Sequence, residues 1–156
     1  MKHILETKTI HASGVCFEKK GVLILGKSGS GKSSLALSLV ANGAQLVCDD
    51  RAQLQVKNEI LMMTKPPSLP SALEVRGLGL IKVPLTTEAS VDLLIDMELT
   101  SDSRLGGHKM ELFGVEIPCV KGQNFYGLSE AIIVWSKYGG FLDPVSYTHL
   151  RAHETV

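Results

Sequence analysis

Short apolar runs separated by polar turns predict the strands and the first helix in the first third of the chain. Val22–Leu25 is a β-prone run that predicts a buried strand, and Ser34–Val40 has the period of a helix. Asn42-Gly43 ends that helix with a left-handed cap signal, and Gln45–Cys48 predicts the next strand. This order predicts a βαβ unit whose two strands run parallel and are joined by a right-handed crossover.

Two hairpins are predicted around this unit. Thr9–Phe17 has the pattern of a strand and reaches Val22–Leu25 through the polar turn Glu18–Gly21. Ala52–Val56 alternates polar and apolar residues, as does the segment after Lys57-Asn58-Glu59, which predicts the second hairpin. The pattern therefore predicts an α/β fold with a mixed sheet that carries β-hairpins.

The second half of the chain is predicted as shorter elements. We predict a proline-rich loop at Thr64–Pro70 and a short strand region with tight turns at Leu73–Val83. A core strand is predicted at Val91–Met97 and a polar mobile segment at Thr100–Lys109. A strand interrupted by Pro118 is predicted at Phe113–Val120, and a last helix at Leu128–Tyr138. No internal repeat is present in the 156 residues, a length that suits one domain.

Composition narrows the function classes. The 16 basic residues balance the 16 acidic ones and 5% of residues are aromatic, so we expect neither nucleic acid nor a membrane surface as partner. No apolar stretch is long enough to span a bilayer, and Met1–Glu6 lacks the apolar core of a signal peptide, which predicts a cytoplasmic protein. Cys16, Cys48 and Cys119 have neither metal-ligand nor disulfide spacing, so we expect buried thiols.

The segment between the strand Val22–Leu25 and its helix carries the most specific motif. It reads G-K-S-G-S-G-K-S, a complete Walker A loop, or P-loop, formed by Gly26, Lys27, Ser28, Gly29, Ser30, Gly31, Lys32 and Ser33, with Ser34 next in the helix. The backbone N–H groups of such a loop wrap a polyphosphate, so we predict that these residues bind ATP. Lys32 is expected to reach the outer phosphates, and the Ser33 hydroxyl to bind Mg²⁺.

Charged residues near the other strands are candidates for catalysis. Asp49-Asp50 ends the strand after the P-loop helix, at the edge where α/β sheets bind ligands. One carboxylate can orient a partner or hold a metal while the other accepts a proton, and the sequence does not decide which. Glu74 is a candidate metal ligand and Arg76 a candidate phosphate contact, although a surface ion pair is the simpler interpretation. His11 is either structural or orients a carboxylate across the sheet.

These motifs, in this order, resemble the C-terminal catalytic domain of HPr(Ser) kinase/phosphorylase, and most closely its short bacterial forms without an N-terminal domain. The resemblance covers about residues 11–118 and rests on I-H-A-S, G-V-L-I, the P-loop, L-V-C-D-D and E-V-R-G-L-G. It implies a P-loop core related to phosphoenolpyruvate carboxykinase. It also implies ATP-dependent phosphorylation of a serine on HPr, the phosphocarrier of the sugar phosphotransferase system, or on a paralogue. Full-length members also run the reverse phosphorolysis and form hexamers, so a homo-oligomer is expected.

The resemblance assigns a role to each candidate residue. Lys32 binds the β- and γ-phosphates, Ser33 binds Mg²⁺, and Glu74 completes the metal site. Either aspartate of the Asp49-Asp50 pair acts as general base towards the serine hydroxyl, and as acid in the reverse reaction. His11 matches the family histidine that interacts with the aspartate.

The chain departs from the family pattern after Leu112–Pro118. Lys121–Asn124 reads K-G-Q-N where the family has an arginine-bearing P-G-R-N-type segment, on which phosphorylase activity depends. The resemblance therefore predicts kinase activity and leaves phosphorolysis open. Ser101–Leu105 keeps an arginine near the position of a phosphate-contacting arginine of the family.

The last residues do not fit the pattern of the rest. Residues 1–144 are predicted to form the catalytic domain, and residues 145–156 a non-native tail. The tail is polar, has no periodicity and resembles the in-frame translation of a transposon-type sequencing adapter. We therefore do not expect it to form part of the fold. The i, i+4 spacing of His149 and His153 is for that reason not interpreted as a metal site.

Two alternatives to a serine kinase of the HPr kinase type stay open. A P-loop kinase for a small molecule would transfer phosphate to a metabolite rather than to a protein serine. A non-catalytic ATP-binding regulatory module would need no base, and the presence of both aspartates with Lys32, Ser33 and Glu74 argues against it.

Overall fold

The structure is a computed structural model that describes residues 6–100 and 107–141. These residues form eleven strands and two helices. They are β1 (Thr7–Phe17), β2 (Lys20–Leu25), α1 (Lys32–Ala41), β3 (Gln45–Cys48), β4 (Arg51–Lys57), β5 (Ile60–Thr64), β6 (Leu73–Val75), β7 (Gly79–Ile81), β8 (Glu88–Ser90), β9 (Leu93–Thr100), β10 (His108–Leu112), β11 (Val115–Gln123) and α2 (Leu128–Lys137). None of the helices described is long and apolar enough to cross a membrane.

β1 organises the main sheet because it pairs along both of its edges. On one edge its residues 12–17 pair antiparallel with β2. On the other edge residues 7–11 pair with β4 and residues 14–16 with β3, again antiparallel. The strand order is β10-β11-β9-β2-β1-β4-β5-β8, with β3 beside β1, while β6 and β7 form a separate two-stranded sheet. Both predicted hairpins, β1–β2 and β4–β5, are confirmed.

The predicted βαβ unit is present, with one difference in strand order. β2 and β3 both run antiparallel to β1, so they are parallel to each other as predicted, but β1 lies between them. The parallel neighbour of β2 is β9, and β11 follows on the far side of β9. The carboxyl ends of β2, β3, β9 and β11 therefore point towards the same end of the sheet, where α/β folds bind their ligands.

Two apolar cores lie on opposite faces of the sheet. The first packs α1 and α2 onto the sheet, and its largest fully buried side chains are those of Ile24, Leu39, Leu46, Leu73, Leu93 and Ile95. The second lies between the β2–β9–β11 half and the β4–β5–β8 half of the sheet, with Leu23, Leu54, Leu61, Met63, Leu94 and Ile117 fully buried. Each such side chain stabilises the fold by about 1.5–3 kcal/mol. The cores hold β2 from both sides, and β2 leads directly into the P-loop.

The helix predictions agree with the structure. α1 ends at Ala41 with Asn42 as its C-cap, and Gly43 follows with a φ of 107°, the left-handed conformation that the Asn-Gly pair predicts. α2 covers all of the predicted last helix except Tyr138, which is its C-cap.

The strand predictions in the second half are confirmed in part. The predicted core strand Val91–Met97 is β9, shifted to Leu93–Thr100, and the short strand β8 before it was not predicted. β10 begins at His108, inside the segment predicted to be polar and mobile. Pro118 does not interrupt β11. On one edge of β11, Pro118 pairs with Lys109 of β10. On the other edge, pairing with β9 begins only at Cys119, so β9 needs no N–H from Pro118. A strand that is unpaired on one edge accepts a proline there.

Some sequence predictions fall outside the described residues. These are the arginine-bearing stretch Ser101–Leu105, the non-native tail at residues 145–156 and the domain boundary at residue 144.

Candidate functional site

The P-loop connects β2 to α1, as the sequence predicts. Gly31 is the N-cap of α1, with a φ of 104°, and no side chain caps the helix. The first-turn N–H groups of a helix lack intrahelical partners, so this end suits an anion. Gly26 has a φ of 148°, and a Cβ added there would lie 2.3 Å from the Ser30 hydroxyl oxygen. Only glycine fits at that position, which explains the first glycine of the motif.

The P-loop rests on the ends of β9 and β11. The Gln123 side-chain amide donates from Nε2 to the carbonyl oxygens of Met97, at 2.5 Å, and of Ser30, at 3.4 Å. The Met97 side chain lies close beneath the loop, 3.3 Å from the position that a Cβ of Gly31 would take. Neither Gln123 nor Met97 was predicted as a site residue, because the contact depends on the parallel pairing of β9 with β11. That pairing leaves no local sequence signal.

Asp49 follows β3 and accepts hydrogen bonds from three donors. The hydroxyls of Ser13 and Ser33 both donate to its Oδ1 at 3.0 Å. The backbone N–H of Glu74 donates to its Oδ2, also at 3.0 Å. Since Asp49 joins β1, the P-loop helix and β6, its carboxylate is held in one orientation. Ser13 was not predicted as a site residue, because a serine within an apolar strand carries no distinct signal.

Asp50 has different surroundings from its neighbour. Its φ of 66° lies in the left-handed region, and the N–H of Arg51 donates to the Asp49 carbonyl at 2.8 Å across it. This is the geometry of a γ-turn, which is rare and typical of functional positions. The side chain of Asp50 is 48% exposed, and its Oδ1 lies 3.6 Å from Nζ of Lys32, whose side chain is 3% exposed. The less constrained carboxylate thus faces the buried P-loop lysine.

The other candidate residues lie around this pair. His11 is exposed, pairs with Arg51 across β1 and β4, and shares its strand face with Ser13. Glu74 is brought to the site by the hydrogen bond from its backbone N–H to Asp49, and Glu74 is exposed. Arg76 is in the turn between β6 and β7, closed by the N–H of Leu78 donating to the Val75 carbonyl at 2.9 Å. The extended segment ends at Val75, so Glu74 and Arg76 do not share a strand face.

The donor set fits a phosphate-bound Mg²⁺. The Ser33 hydroxyl and the Asp49 carboxylate place two oxygens side by side, 3.0 Å apart. Mg²⁺ in nucleotide sites takes one or two protein ligands and completes its octahedron with phosphates and waters. Within residues 6–100 and 107–141, no group of three or more His, Cys, Asp or Glu residues can hold a metal by itself. The other ligands of a Mg²⁺ held by Ser33 and Asp49 would be phosphate oxygens of a nucleotide and waters.

Cys48 lies immediately before Asp49 and takes no part in this chemistry. It is 1% exposed, and burial raises the pKa of its thiol to about 12. Burial also raises the pKa of the Cys16 and Cys119 thiols. All three cysteines are free and buried, as predicted.

The fold and the site together define a class of protein. A P-loop leads from a parallel strand into a helix, and a lysine, a serine hydroxyl and two aspartates meet beside it. This is the arrangement of an α/β nucleotide-binding protein equipped for phosphoryl transfer. A family model for the HPr serine kinase C-terminal domain matches residues 2–138, and the chain belongs to this family.

Individual relatives agree with this assignment. The HPr kinase/phosphorylase of Levilactobacillus brevis is 32% identical over 145 residues, which cover 84% of this chain and 47% of the relative. That of Streptococcus salivarius is 35% identical over 132 residues, covering 76% and 43%. The solved structure of the Hpr(Ser) kinase/phosphatase from Coxiella burnetii matches with a TM-score of 0.70 and 26% identity, covering 94% of this chain and 99% of that one. The family and the α/β fold class expected from the sequence are confirmed. The chain spans about half the length of the curated relatives that it matches.

Proposed function

We propose that the chain is an ATP-dependent protein serine kinase that acts on HPr or on an HPr-like phosphocarrier. The observation that carries the proposal is the unequal environment of the two aspartates beside the P-loop. The Asp49 carboxylate is held by three donors, whereas the Asp50 side chain is half exposed and faces Lys32. A regulatory module that only binds ATP has no use for a second, accessible carboxylate.

The P-loop residues Gly26–Ser34 bind the triphosphate in this proposal. The backbone N–H groups face the phosphate oxygens, and Lys32 exchanges part of its contact with Asp50 for the β- and γ-phosphates. Ser33 and Asp49, whose oxygens lie 3.0 Å apart, would hold Mg²⁺ with Glu74 as a further ligand, and Arg76 would contact phosphate from the β6–β7 turn. When bound, Mg²⁺ neutralises charge on the phosphates. Asp49 keeps the Ser33 hydroxyl oriented throughout.

Asp50 is the general base in the proposed reaction. Its carboxylate accepts the proton of the substrate serine hydroxyl as that oxygen forms a bond to the γ-phosphorus, while the bond between the γ-phosphorus and the bridging oxygen breaks and ADP leaves. Lys32 stabilises the negative charge that spreads over the phosphoryl oxygens. His11 is next to Ala12 on β1, and the N–H of Ala12 donates to the Asp50 carbonyl at 3.0 Å. His11 is therefore placed to influence Asp50.

The names of the relatives support HPr as the acceptor. Such a phosphocarrier is a cytoplasmic protein in our proposal, so we place the activity in the cytoplasm. We also propose a homo-oligomer, the hexamer of the family. The exposed Val134 and Tyr138 on α2 support an association surface.

The test is transfer of label from ATP radiolabelled in the γ-phosphate. Purified protein with Mg²⁺ is given a panel of HPr and HPr-like phosphocarriers, and the labelled residue is identified by mass spectrometry. Asp50→Asn is compared with the unsubstituted protein, because asparagine tolerates a positive φ where alanine would be strained. Glu88→Gln, which removes a carboxylate exposed at 45% on β8, is the control.

We expect label on a serine of the phosphocarrier. Asp50→Asn should lower the rate of labelling by about 10²–10⁴-fold and leave ATP affinity within about threefold, because every residue of the P-loop is retained. Glu88→Gln should behave as the unsubstituted protein. Label on a small molecule would instead identify a metabolite kinase. Tight ATP binding without any transfer to the panel would favour the regulatory module.

A further inference from the structure

Ser13 is a fully buried polar residue in the middle of β1. Its exposed fraction is 0%, and its hydroxyl uses both hydrogen-bonding functions on the two aspartates. It donates to Oδ1 of Asp49 at 3.0 Å and accepts the backbone N–H of Asp50 at 3.0 Å. A serine hydroxyl has a single proton to donate, so these two bonds fix its orientation.

Ala12, the residue before Ser13 on β1, also supports the turn at Asp50. The N–H of Ala12 donates to the carbonyl oxygen of Asp50 at 3.0 Å. Asp50 is therefore held at its N–H by Ser13 and at its carbonyl by Ala12, while its φ of 66° is one that aspartate adopts infrequently. The γ-turn persists because its surroundings hold it, and among the described residues Ser13 is the only one whose side chain hydrogen-bonds to both aspartates.

We propose that Ser13 is a positioning residue for the general base, a role that rests on the proposed kinase function. Its hydroxyl holds the Asp49-Asp50 turn in the conformation that directs the Asp50 carboxylate towards Lys32 and the incoming serine. Ser13 does not touch the substrate, because it is completely buried. It acts through Asp50, so removing its hydroxyl slows the chemical step and leaves nucleotide binding intact.

The experiment compares two variants of similar shape. Ser13→Thr retains the hydroxyl, and Ser13→Val replaces it with a methyl group, so the pair differs in the hydrogen bonds and little in volume. ATP affinity is measured by calorimetry, and kcat and KM for the phosphocarrier are measured at saturating ATP. Ser136→Ala is the remote control, because its hydroxyl donates to the Ile133 carbonyl within α2.

A positioning role predicts a split between binding and rate. Ser13→Val should have a kcat about tenfold or more below that of Ser13→Thr, with ATP affinity equal within about twofold, because small misplacements of a reacting group are costly. Equal kcat values for the two variants would overturn the proposal. So would a parallel loss of ATP affinity in Ser13→Val, which would show a general structural role.

Two further comparisons separate a failure to fold, and a failure of the proposed kinase function, from a failure of the Ser13 proposal. If neither substitution at Ser13 folds cooperatively, Ser13→Ala is compared with Ser136→Ala on the same readouts, and an unchanged kcat in Ser13→Ala overturns the proposal. If the unsubstituted protein transfers no phosphate to any phosphocarrier, the proposed function itself has failed. Failure of the Ser13 inference alone requires an active unsubstituted protein.

Discussion

At Gly21 the backbone of β2 lies directly against the backbone of β8, at Ser90. A Cβ added at Gly21 would lie 1.7 Å from the carbonyl oxygen of Ser90 and 2.9 Å from Cε of Met63. The surrounding backbone is fixed as well, because the N–H of Gly21 donates to Oδ2 of Asp92, and the N–H of Asp92 donates to the Gly21 carbonyl, both at 2.9 Å. No side chain fits there unless the strands separate.

Gly21→Ala is therefore expected to lower the free energy of unfolding by about 3 kcal/mol or more, since an overpacked core cannot relax against backbone atoms. The measurement is urea denaturation followed by circular dichroism. Gly114→Ala is the control: Gly114 has a φ of 79° and open space around it, so alanine there should cost about 1 kcal/mol of backbone strain. A loss no larger at Gly21 than at Gly114 would contradict the packing argument.

The sequence identified the residues of the site better than their arrangement. The P-loop and the Asp49-Asp50 pair were predictable, because a fixed motif and a strand end place them. The division of labour between the aspartates was not, since it depends on Ser13 and on the N–H of Glu74, which lie 36 and 25 residues away from Asp49. Such contacts depend on which distant segments lie beside each other in the fold, and no short sequence motif reports that.

At the scale of elements, β9 and β11 form the support on which the P-loop rests. Gln123 connects them to the loop by donating from one amide group to the carbonyls of Met97 and Ser30. Those carbonyls lose their side-chain donor if the amide is removed, and the loop loses the hydrogen bond that joins Ser30 to Gln123 of β11.

We expect Gln123→Ala to raise the ATP dissociation constant by about tenfold, the effect of losing about 1–1.5 kcal/mol of hydrogen bonding. Isothermal titration calorimetry with ATP and Mg²⁺ measures it. Gln55→Ala, on β4 and remote from the P-loop, removes an equal side chain and should leave the constant unchanged. A dissociation constant that moves by less than about twofold in Gln123→Ala would mean that the loop holds its shape without this bond.

Elements with strong local signals were predicted and weak ones were not. The two hairpins have turn residues and alternating patterns, and the helices have periodic apolar faces, so each was found. β8 has three residues, too few to show a pattern. Pro118 normally argues against a strand, and only the pairing order of β10 and β9 along β11 explains why it is accepted here.

At the scale of the whole molecule, the two cores share β1 and β2 between them. The βαβ prediction gave the right directions for β2 and β3 but could not place β1 between them, because that depends on the long first strand pairing along both edges. The result is a sheet whose second half folds over the first, and Cys48 lies in the core between those halves. Ionisation of the Cys48 thiol therefore depends on whether this core stays packed.

Cys48 should make stability fall at high pH. Its thiol pKa is raised to about 12 in the folded state from 9.0, so between these values the unfolded chain releases a proton that the folded protein keeps. This contribution to stability is fully present below a pH of about 9 and is lost progressively as pH rises towards 12, with a loss of about 1 kcal/mol at a pH of about 10. Urea denaturation at pH values of about 8 and 10 measures the loss. Because lysines and tyrosines also titrate in this range, the comparison is with Cys48→Ala, which should lose about 1 kcal/mol less between the two pH values. Equal losses in both proteins would mean that the Cys48 thiol ionises as readily in the folded state as in the unfolded chain, and that the core between the two halves of the sheet is open to water.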